Sequence, residues 1–300
     1  MCANNASSKP SRLPEWLRIK LPDSRSYSRT RSLLASARLH TVCQSAKCPN
    51  IYECFSRDTA TFMILGNSCT RCCAFCNVDS VQGRGQEAKS RPEPVDPGEP
   101  ARVAAAAREL GLAHVVVTSV TRDDLTDGGA SQFAAVCRAL KQEPGVESVE
   151  LLVPDFQGDV AALDLVLAEQ PSVLNHNLET VPRLYGAIRR GADYQRSLAL
   201  LKHAADAGAA AKSGLMVGLG ESDEELRRVL GDMAQAGCAM VTLGQYLAPS
   251  RRHPWPDRFV EPGQFERYAE WAKEEGIPHV ASAPLVRSSY KAENISPCRG

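Results

Sequence analysis

The sequence predicts an α/β protein: a partial, TIM-like (β/α) barrel of about six parallel strands with N- and C-terminal extensions. Three observations predict it. Apolar, β-branched runs alternate with helical stretches six or seven times between residues 59 and 282, the pattern of parallel strands joined by right-handed crossovers. The polar residues that stand out lie at or just after the ends of those strands, where such barrels carry their chemistry. A length of 300 residues, 43% of them hydrophobic, suffices for one large domain with a real core.

The first strand is read over residues 59–65. An Ala-rich helix at 99–110 leads to a strand at 114–120, a helix at 132–141 to a strand at 148–153, and a helix at 158–168 to a strand at 172–178. Helices at 181–190 and 197–207 precede a strand at 212–219, a helix at 223–236 and a strand at 240–247. A last helix at 262–275 precedes an apolar run at 278–281. Residues 82–100, rich in Pro, Gly and charge, read as a loop. The expected organisation is an N-terminal extension (1–58), the barrel (59–282) and a C-terminal segment (283–300). Within the first extension, Pro14-Glu15-Trp16-Leu17 reads as a docking segment. The Ser- and Arg-rich stretch around it reads as a basic arm rather than a cleavable presequence, so a cytoplasmic location is expected.

Charge narrows the function. Lys plus Arg equals Asp plus Glu at 35 each, so no overall field attracts nucleic acid or an anionic membrane. No apolar run approaches the roughly 20 residues needed to span a bilayer.

Cysteine is the informative residue, with eleven copies. Cys43, Cys48, Cys54, Cys69, Cys72, Cys73 and Cys76 fall in one window, whereas Cys2, Cys137, Cys238 and Cys298 are scattered and read as small buried apolar residues. A disulfide framework would spread its cysteines through a short secreted chain. Bunching points to metal instead. Cys69, Cys73 and Cys76 have the spacing C-x3-C-x2-C just after a strand. Three thiolates hold three irons of a 4Fe–4S cluster and leave the fourth open to a small molecule. Cys43, Cys48 and Cys54 form a second trio, C-x4-C-x5-C. Zinc is the competing reading, because Cys69 with Cys72 and Cys73 with Cys76 are both C-x2-C pairs. A four-cysteine zinc site separates its pairs by roughly 15–20 residues, but these abut, and the upstream trio would go unexplained. Cys72 is read as a bystander.

At this point the chain resembles the radical S-adenosylmethionine (SAM) superfamily and, within it, the lipoyl synthases. The resemblance covers nearly the whole chain. It is carried by Leu39-His40-Thr41-Val42-Cys43, Cys48-Pro49-Asn50-Ile51, Ala60-Thr61-Phe62-Met63-Ile64-Leu65-Gly66 and Cys69-Thr70-Arg71. Further on it rests on Thr118-Ser119-Val120, Arg122-Asp123-Asp124-Leu125, Asp127-Gly128-Gly129-Ala130, Asn175-His176-Asn177-Leu178-Glu179-Thr180 and Gly244-Gln245-Tyr246-Leu247. It ends on Pro284-Leu285-Val286-Arg287-Ser288-Ser289-Tyr290, which is similar to the family's terminal R-S-S-Y signature.

That resemblance implies two 4Fe–4S clusters and S-adenosyl-L-methionine as cofactors. Cys69, Cys73 and Cys76 would bind the cluster whose open iron takes the methionyl amine and carboxylate, whose reduction yields a 5′-deoxyadenosyl radical. Cys43, Cys48 and Cys54 would bind an auxiliary cluster, with Ser289 as its oxygen ligand and Ser288 the alternative. Oxygen is harder than thiolate, so that corner should be labile, in keeping with a cluster that supplies sulfur. The implied reaction inserts two sulfur atoms at carbons six and eight of an octanoyl chain, where no acidic hydrogen invites a base. The implied partners are octanoylated lipoyl-carrier domains, of the 2-oxoacid dehydrogenase E2 type or the glycine-cleavage carrier protein, and a low-potential electron donor such as ferredoxin or flavodoxin. Arg25, Arg29, Arg31 and Arg38 of the basic arm are a candidate docking surface, because carrier domains tend to be acidic.

The smaller candidates each have a plainer reading. Thr118, Ser119 and Gln245 are placed as cofactor contacts by strand end and resemblance. Asn175 and Glu179 either contact cofactor or cap a helix. Gly128-Gly129 allows close approach to a ligand or simply turns the loop. Gly218-Leu219-Gly220 is a fragment of a phosphate-loop pattern, better explained as a tight turn. Arg122, Asp123 and Asp124 read as a solvated loop raised in interest by the resemblance. Arg287 orients a substrate carbonyl or pairs with a carboxylate; substrate is favoured. His176 reads as structural, and Trp255 and Trp271 as packing. Thr121, Phe55 and Ser282-Ala283 depart from the family pattern without touching a ligand position. A biotin synthase-like sulfur inserter, a ferredoxin-like carrier and a zinc-stapled module are the rival readings. The upstream trio with the terminal signature, the barrel's size and the cysteine spacing argue against them in turn.

Overall fold

The computed structural model describes residues 13–19, 24–82 and 91–294. Cys2, Cys298 and residues 83–90 of the expected loop lie outside the described residues.

Before the barrel come a 3-10 turn (Glu15–Leu17), helix α1 (Ser24–Ser36), the two-residue strand β1 (His40–Thr41) and the short helices α2 (Val42–Ser45) and α3 (Ile51–Ser56). Leu17 is buried, as a docking segment requires, while Trp16 stays half exposed. Helix α1 lies on α3 through Tyr27, stacked on Tyr52 at 5.0 Å and tilted on Phe55 at 5.6 Å. The stretch read as an arm is thus in large part a helix, held by aromatic contact with the segment that carries Cys54.

The repeating part runs β2 (Thr61–Ile64), β3 (Ser68–Cys69), β4 (Asp79–Ser80), α4 (Glu99–Leu110), β5 (His114–Ser119), α5 (Ala130–Lys141) and β6 (Ser148–Leu152). It continues with α6 (Val160–Leu167), β7 (Val173–Asn175), α7 (Tyr185–Ile188), α8 (Tyr194–Asp206), β8 (Ala211–Val217), α9 (Asp223–Gln235), β9 (Met240–Gln245), α10 (Pro262–Glu274) and β10 (His279–Ser282). The main sheet has the order β1-β2-β5-β6-β7-β8-β9-β10. Its last seven strands are mutually parallel, and β1 lies antiparallel on the edge. The sheet does not close, which makes it a partial barrel at the upper end of the six or seven repeats read from the sequence. Where a helix was expected over 181–190, the chain instead forms a 3-10 turn (Pro182–Leu184) and the single turn of α7, Pro182 fixing the start.

Local chemistry sets several boundaries. Ser222 and Glu225 form a reciprocal capping box at the start of α9. Asp159 caps α6 and Asp193 caps α8. Leu110 is followed by left-handed Gly111, which ends α4. Cys137 and Cys238 are buried on the helix side of the sheet, as small apolar residues.

Among the described residues, no helix is long and apolar enough to cross a membrane.

Candidate active site

The loop bearing Cys69, Cys73 and Cys76 leaves β3 and is fastened to three neighbouring segments, the loops after β5 and β6 and the end of α7. Thr70 N–H donates to Thr121 O at 2.9 Å, and Ala74 N–H donates to Ile188 O at 2.8 Å. Arg71 forks to Asp123 (2.7 and 2.8 Å) and to Asp155 (3.0 and 2.7 Å). Burial opposes the charge on Arg71, but the two carboxylates overcome it and hold its pKa above the ordinary value. Burial would raise the Asp155 carboxyl, yet Arg71, with Arg196 adding to it, holds it below the usual carboxylate range. Asp123, read as part of a solvated loop, is therefore half of the clamp on the cysteine loop. Arg122 pairs with Asp124 and donates to Leu65 O at 3.3 Å, while Leu65 N–H donates to Glu99 at 3.1 Å. These bonds pin a left-handed Leu65 (φ 68°) just ahead of the loop.

The thiols of each trio stand close enough to repel one another as thiolates. Cys73 is pushed up to about 12 by burial and then by Cys76, with Cys69 contributing. Cys43 is pushed up to about 11 by burial and then by Cys48. Cys54 is pushed up to about 12 by burial, then Cys43 and Cys48. Enclosed thiols raised by mutual repulsion are what a cationic metal group reverses, since a coordinating thiol is deprotonated outright. Among the described residues no three His, Cys, Asp or Glu side chains converge as a single ion requires; a cluster, with sulfides between its irons, spaces its thiolates wider. Cys72 turns away and donates to Gln82 at 3.1 Å.

A cavity of about 510 Å³ joins the two trios. Cys43, Cys48 and Cys76 line it, together with Thr118, Ser119, Asn177, Glu179, Arg287, Ser288 and Ser289. Much of the remaining wall is apolar, including Val42, Met63, Leu152, Leu215, Met216 and Val286. Ser119 Oγ is buried there without a hydrogen-bond partner, a polar atom left for a ligand. Donor type, enclosure and this orphaned hydroxyl fit iron–sulfur groups with a polar small molecule.

The C-terminal segment closes the cavity by docking on the N-terminal extension and on β2. Asn50 donates to Leu285 O at 2.7 Å, Thr61 Oγ1 to Ser289 Oγ at 2.8 Å, and Tyr290 OH to Glu53 at 2.9 Å. It is also stitched to β9, where Gln245 N–H donates to Pro284 O at 3.1 Å. A Cβ on Gly244 would stand 2.0 Å from Val286 O, so glycine permits that approach. Ser288 Oγ accepts from Asn175 Nδ2 and donates to Asn177 Oδ1, both at 2.8 Å. The two serines are therefore held differently: Ser288 by barrel asparagines, Ser289 by Thr61, whose hydroxyl also meets Cys43.

Other expected residues fall into place unevenly. Glu179 lines the cavity with a left-handed backbone (φ 66°) and accepts from Asn177 at 3.1 Å. It caps no helix, since the following turn is flanked by Val181. Burial raises its carboxyl, although Arg189, Asn177 and Arg287 oppose this. Arg287 is enclosed by protein yet reached from the cavity, and burial lowers its pKa against the pull of Cys48 and Glu179. Thr118 lines the wall but spends its proton on Leu152 O at 3.0 Å.

Asn175 and Gln245 do not line the cavity. Asn175 sits behind it, donating to buried Glu150 at 2.7 Å, which itself pairs with Lys212. The Gln245 amide is spent on backbone, donating to Val217, Tyr246 and Arg258 carbonyls and accepting from Val260 N–H; it brackets the ends of β8 and β9. A Cβ on Gly129 would stand 2.3 Å from Leu65 Cδ1, so its close approach is to Leu65. At Gly218-Leu219-Gly220 the N–H groups of Gly218 and Leu219 are already taken by Glu221, at 2.6 and 2.8 Å, as a turn requires. His176 is fully buried between Val153 O, Ser197 and Arg189.

Asn177, Thr61, Asn50 and Arg189 are site residues that reading the sequence did not single out. Asn177 carried a signal: it lies two residues beyond Asn175, the spacing of one strand face. The other three are brought in by tertiary contact.

Comparison with known proteins follows the same lines. The profile of the radical SAM superfamily matches residues 63–233, and that of the N-terminal domain of lipoyl synthase of the radical SAM family matches residues 3–48. A lipoyl synthase of Oleidesulfovibrio alaskensis is 54% identical over 292 residues, covering 97% of each chain. One from Nitratidesulfovibrio vulgaris is 54% identical over 98% of this chain and 96% of its own. One from Caldanaerobacter subterraneus is 53% identical over 96% and 99%. Among solved structures, methylornithine synthase superposes with a TM-score of 0.53 at 15% identity, over 91% of this chain and 86% of its own. The FeFe-hydrogenase maturase of Carboxydothermus hydrogenoformans gives 0.51 at 13%, over 91% and 77%. At such identities these two share the fold alone.

Proposed function

Because the chain belongs to the lipoyl synthase family of the radical SAM superfamily, we propose that it inserts two sulfur atoms at carbons six and eight of an octanoyl chain borne by a lipoyl-carrier protein. The observation that carries this reading is the shared cavity, which has thiols of both trios and the Arg287-Ser288-Ser289 segment on its walls.

In this reading Cys69, Cys73 and Cys76 hold the catalytic 4Fe–4S cluster, and Cys43, Cys48, Cys54 and Ser289 hold the auxiliary one. When bound, the catalytic cluster and S-adenosylmethionine supply a carbon radical able to take hydrogen from an unactivated C–H bond, and the auxiliary cluster supplies sulfur. The chain's own residues position and enclose. Arg71, Asp123 and Asp155 fix the catalytic loop to the barrel. Glu179, held by a left-handed backbone, presents a carboxylate into the cavity suited to an amine, and the free Ser119 hydroxyl offers a further polar contact. The apolar wall from Met63, Leu152, Leu215 and Met216 accepts an acyl chain and keeps water from it. Asn175 and Asn177 set Ser288, with Ser289 bonded to Thr61 and both Ser289 and Arg287 on the cavity wall. Arg287 is placed to hold a substrate carbonyl.

Anaerobic reconstitution with iron and sulfide tests the reading, alongside a Cys43→Ala, Cys48→Ala, Cys54→Ala variant. The expected result is about eight irons per chain falling to about four, with S-adenosylmethionine cleavage kept and lipoyl product lost. About four irons in both proteins would remove the auxiliary site and with it the sulfur-insertion reading.

A further inference from the structure

Arg189 is a buried cation, 9% exposed, that among the described residues touches only neutral groups. Its Nη1 donates to Tyr185 OH and to Ser197 Oγ, each at 3.0 Å, and its Nη2 meets His176 Nε2 at 3.2 Å. The guanidinium carbon stands 5.5 Å from the centre of the Tyr185 ring. His176 brings no balancing charge, because burial and then Arg189 itself hold its imidazole neutral. No carboxylate among the described residues comes within ion-pair distance. Two other buried arginines are matched, Arg71 by Asp123 and Asp155 and Arg122 by Asp124, while Arg287 lines the cavity.

An enclosed guanidinium with no anion is costly, and such groups are found paired. The missing anion has an obvious place. Arg189 directly follows Ile188, whose carbonyl accepts the N–H of Ala74 at 2.8 Å, and Ala74 directly follows Cys73. The segment that carries Arg189 is therefore bonded directly to the C-x3-C-x2-C loop, between the neighbours of Arg189 and of Cys73.

We propose that Arg189 is the built-in counter-cation of the Cys69, Cys73 and Cys76 centre and holds its reduction potential up. The proposal rests on the reading that this trio binds an iron–sulfur cluster. Three thiolates leave such a cluster net negative, and adding an electron makes it more so. A fixed positive charge in a water-poor surrounding favours the reduced form, through net charge, a known determinant of cluster potential.

The test uses the full chain carrying Cys43→Ala, Cys48→Ala and Cys54→Ala, so that one cluster remains, and follows its reduction by EPR during a potentiometric titration. Arg189→Gln keeps hydrogen-bond donors for the neutral partners and removes the charge; Arg189→Lys keeps the charge and loses the planar fork. The expected result is a more negative midpoint for Arg189→Gln and a midpoint near the parent's for Arg189→Lys. Equal midpoints in all three proteins overturn the proposal, as does an equal fall in both variants, which would assign the effect to hydrogen bonding. Should Arg189→Gln not fold, Ser197→Asp sets a carboxylate against the guanidinium. It should lower the midpoint in the same direction, and an unchanged value there also overturns the proposal. Absence of any cluster in the parent would instead count against the proposed function.

Discussion

The side-chain nitrogen of Asn175 bridges two partners far apart in sequence, Glu150 Oε1 at 2.7 Å and Ser288 Oγ at 2.8 Å. One amide thus connects an ion pair inside the barrel to the segment that covers the cavity.

Asn175→Ala removes both bonds and leaves a buried carboxylate oxygen short of a donor. A loss of about 1–3 kcal/mol in unfolding free energy is expected, measured by anaerobic denaturant titration. Ser288→Ala keeps the Glu150 contact and should cost less. Both variants should lose lipoyl product more than S-adenosylmethionine cleavage, because the terminal segment loosens while the loop of Cys69, Cys73 and Cys76 stays clamped.

Lys212 (0% exposed) reaches both oxygens of Glu150 (1% exposed) at 2.9 Å. Breaking such a pair leaves an uncompensated buried charge. Lys212→Met alone should destabilise the fold by about 3–5 kcal/mol, whereas Lys212→Met with Glu150→Leu should recover much of that loss. Comparison of denaturant midpoints checks both. A double variant no more stable than the single one would mean the pair contributes through more than its own charges.

His176 is held neutral with its pKa lowered from 6.5 to about 3, by burial first and Arg189 second. Below its ordinary value the unfolded chain takes up a proton that the folded chain refuses. The stability this group contributes is therefore full above pH 6.5 and is lost as pH falls toward about 3, by about 1.4 kcal/mol per pH unit. Between about pH 7 and about pH 5 the protein should lose about 2 kcal/mol. Most of that dependence should vanish in His176→Gln, whatever its absolute stability.

Gly244→Ala sets a methyl group against the Val286 carbonyl, 2.0 Å away on the present backbone. Backbone cannot yield as a side-chain tip does, so the terminal segment must shift. The variant should fold and keep the iron of the Cys69, Cys73 and Cys76 site, and its segment around residues 285–290 should become open to proteolysis. A segment as protected as the parent's would show that β9 and residue 286 can part without consequence.

The alternation of strands and helices was legible because each parallel strand is an apolar run buried on both faces. The cysteine spacings were legible because each trio lies within a short stretch of chain. Other features depend on which atoms meet across the fold. Asn175 and Gln245 stand at strand ends as catalytic residues do, yet one faces the Glu150–Lys212 pair and the other is consumed by backbone; strand position alone does not give orientation. Asp123 looked solvated because its partner, Arg71, lies 52 residues away. Helix α1 was read as an arm because Ser and Arg dominate it; its few aromatic and aliphatic residues, Tyr27, Leu33 and Leu34, suffice to seat it. Arg189 gave no sign at all, since a lone arginine in sequence does not reveal that its neighbours are neutral.

The three bonds that join the terminal segment to the N-terminal extension and to β2 span 235, 228 and 237 residues. During synthesis, the cysteines of the upstream trio therefore leave the ribosome long before the residues that cover them. The Arg71 clamp is complete once residue 155 has emerged, whereas the Ser289 side must wait for nearly 290 residues to be made. A nascent or prematurely released chain thus carries three bare thiols at one end with no lid at the other, and iron offered too early would meet an unfinished vessel. The order in which this chain is made completes the surroundings of the two cysteine trios one after the other.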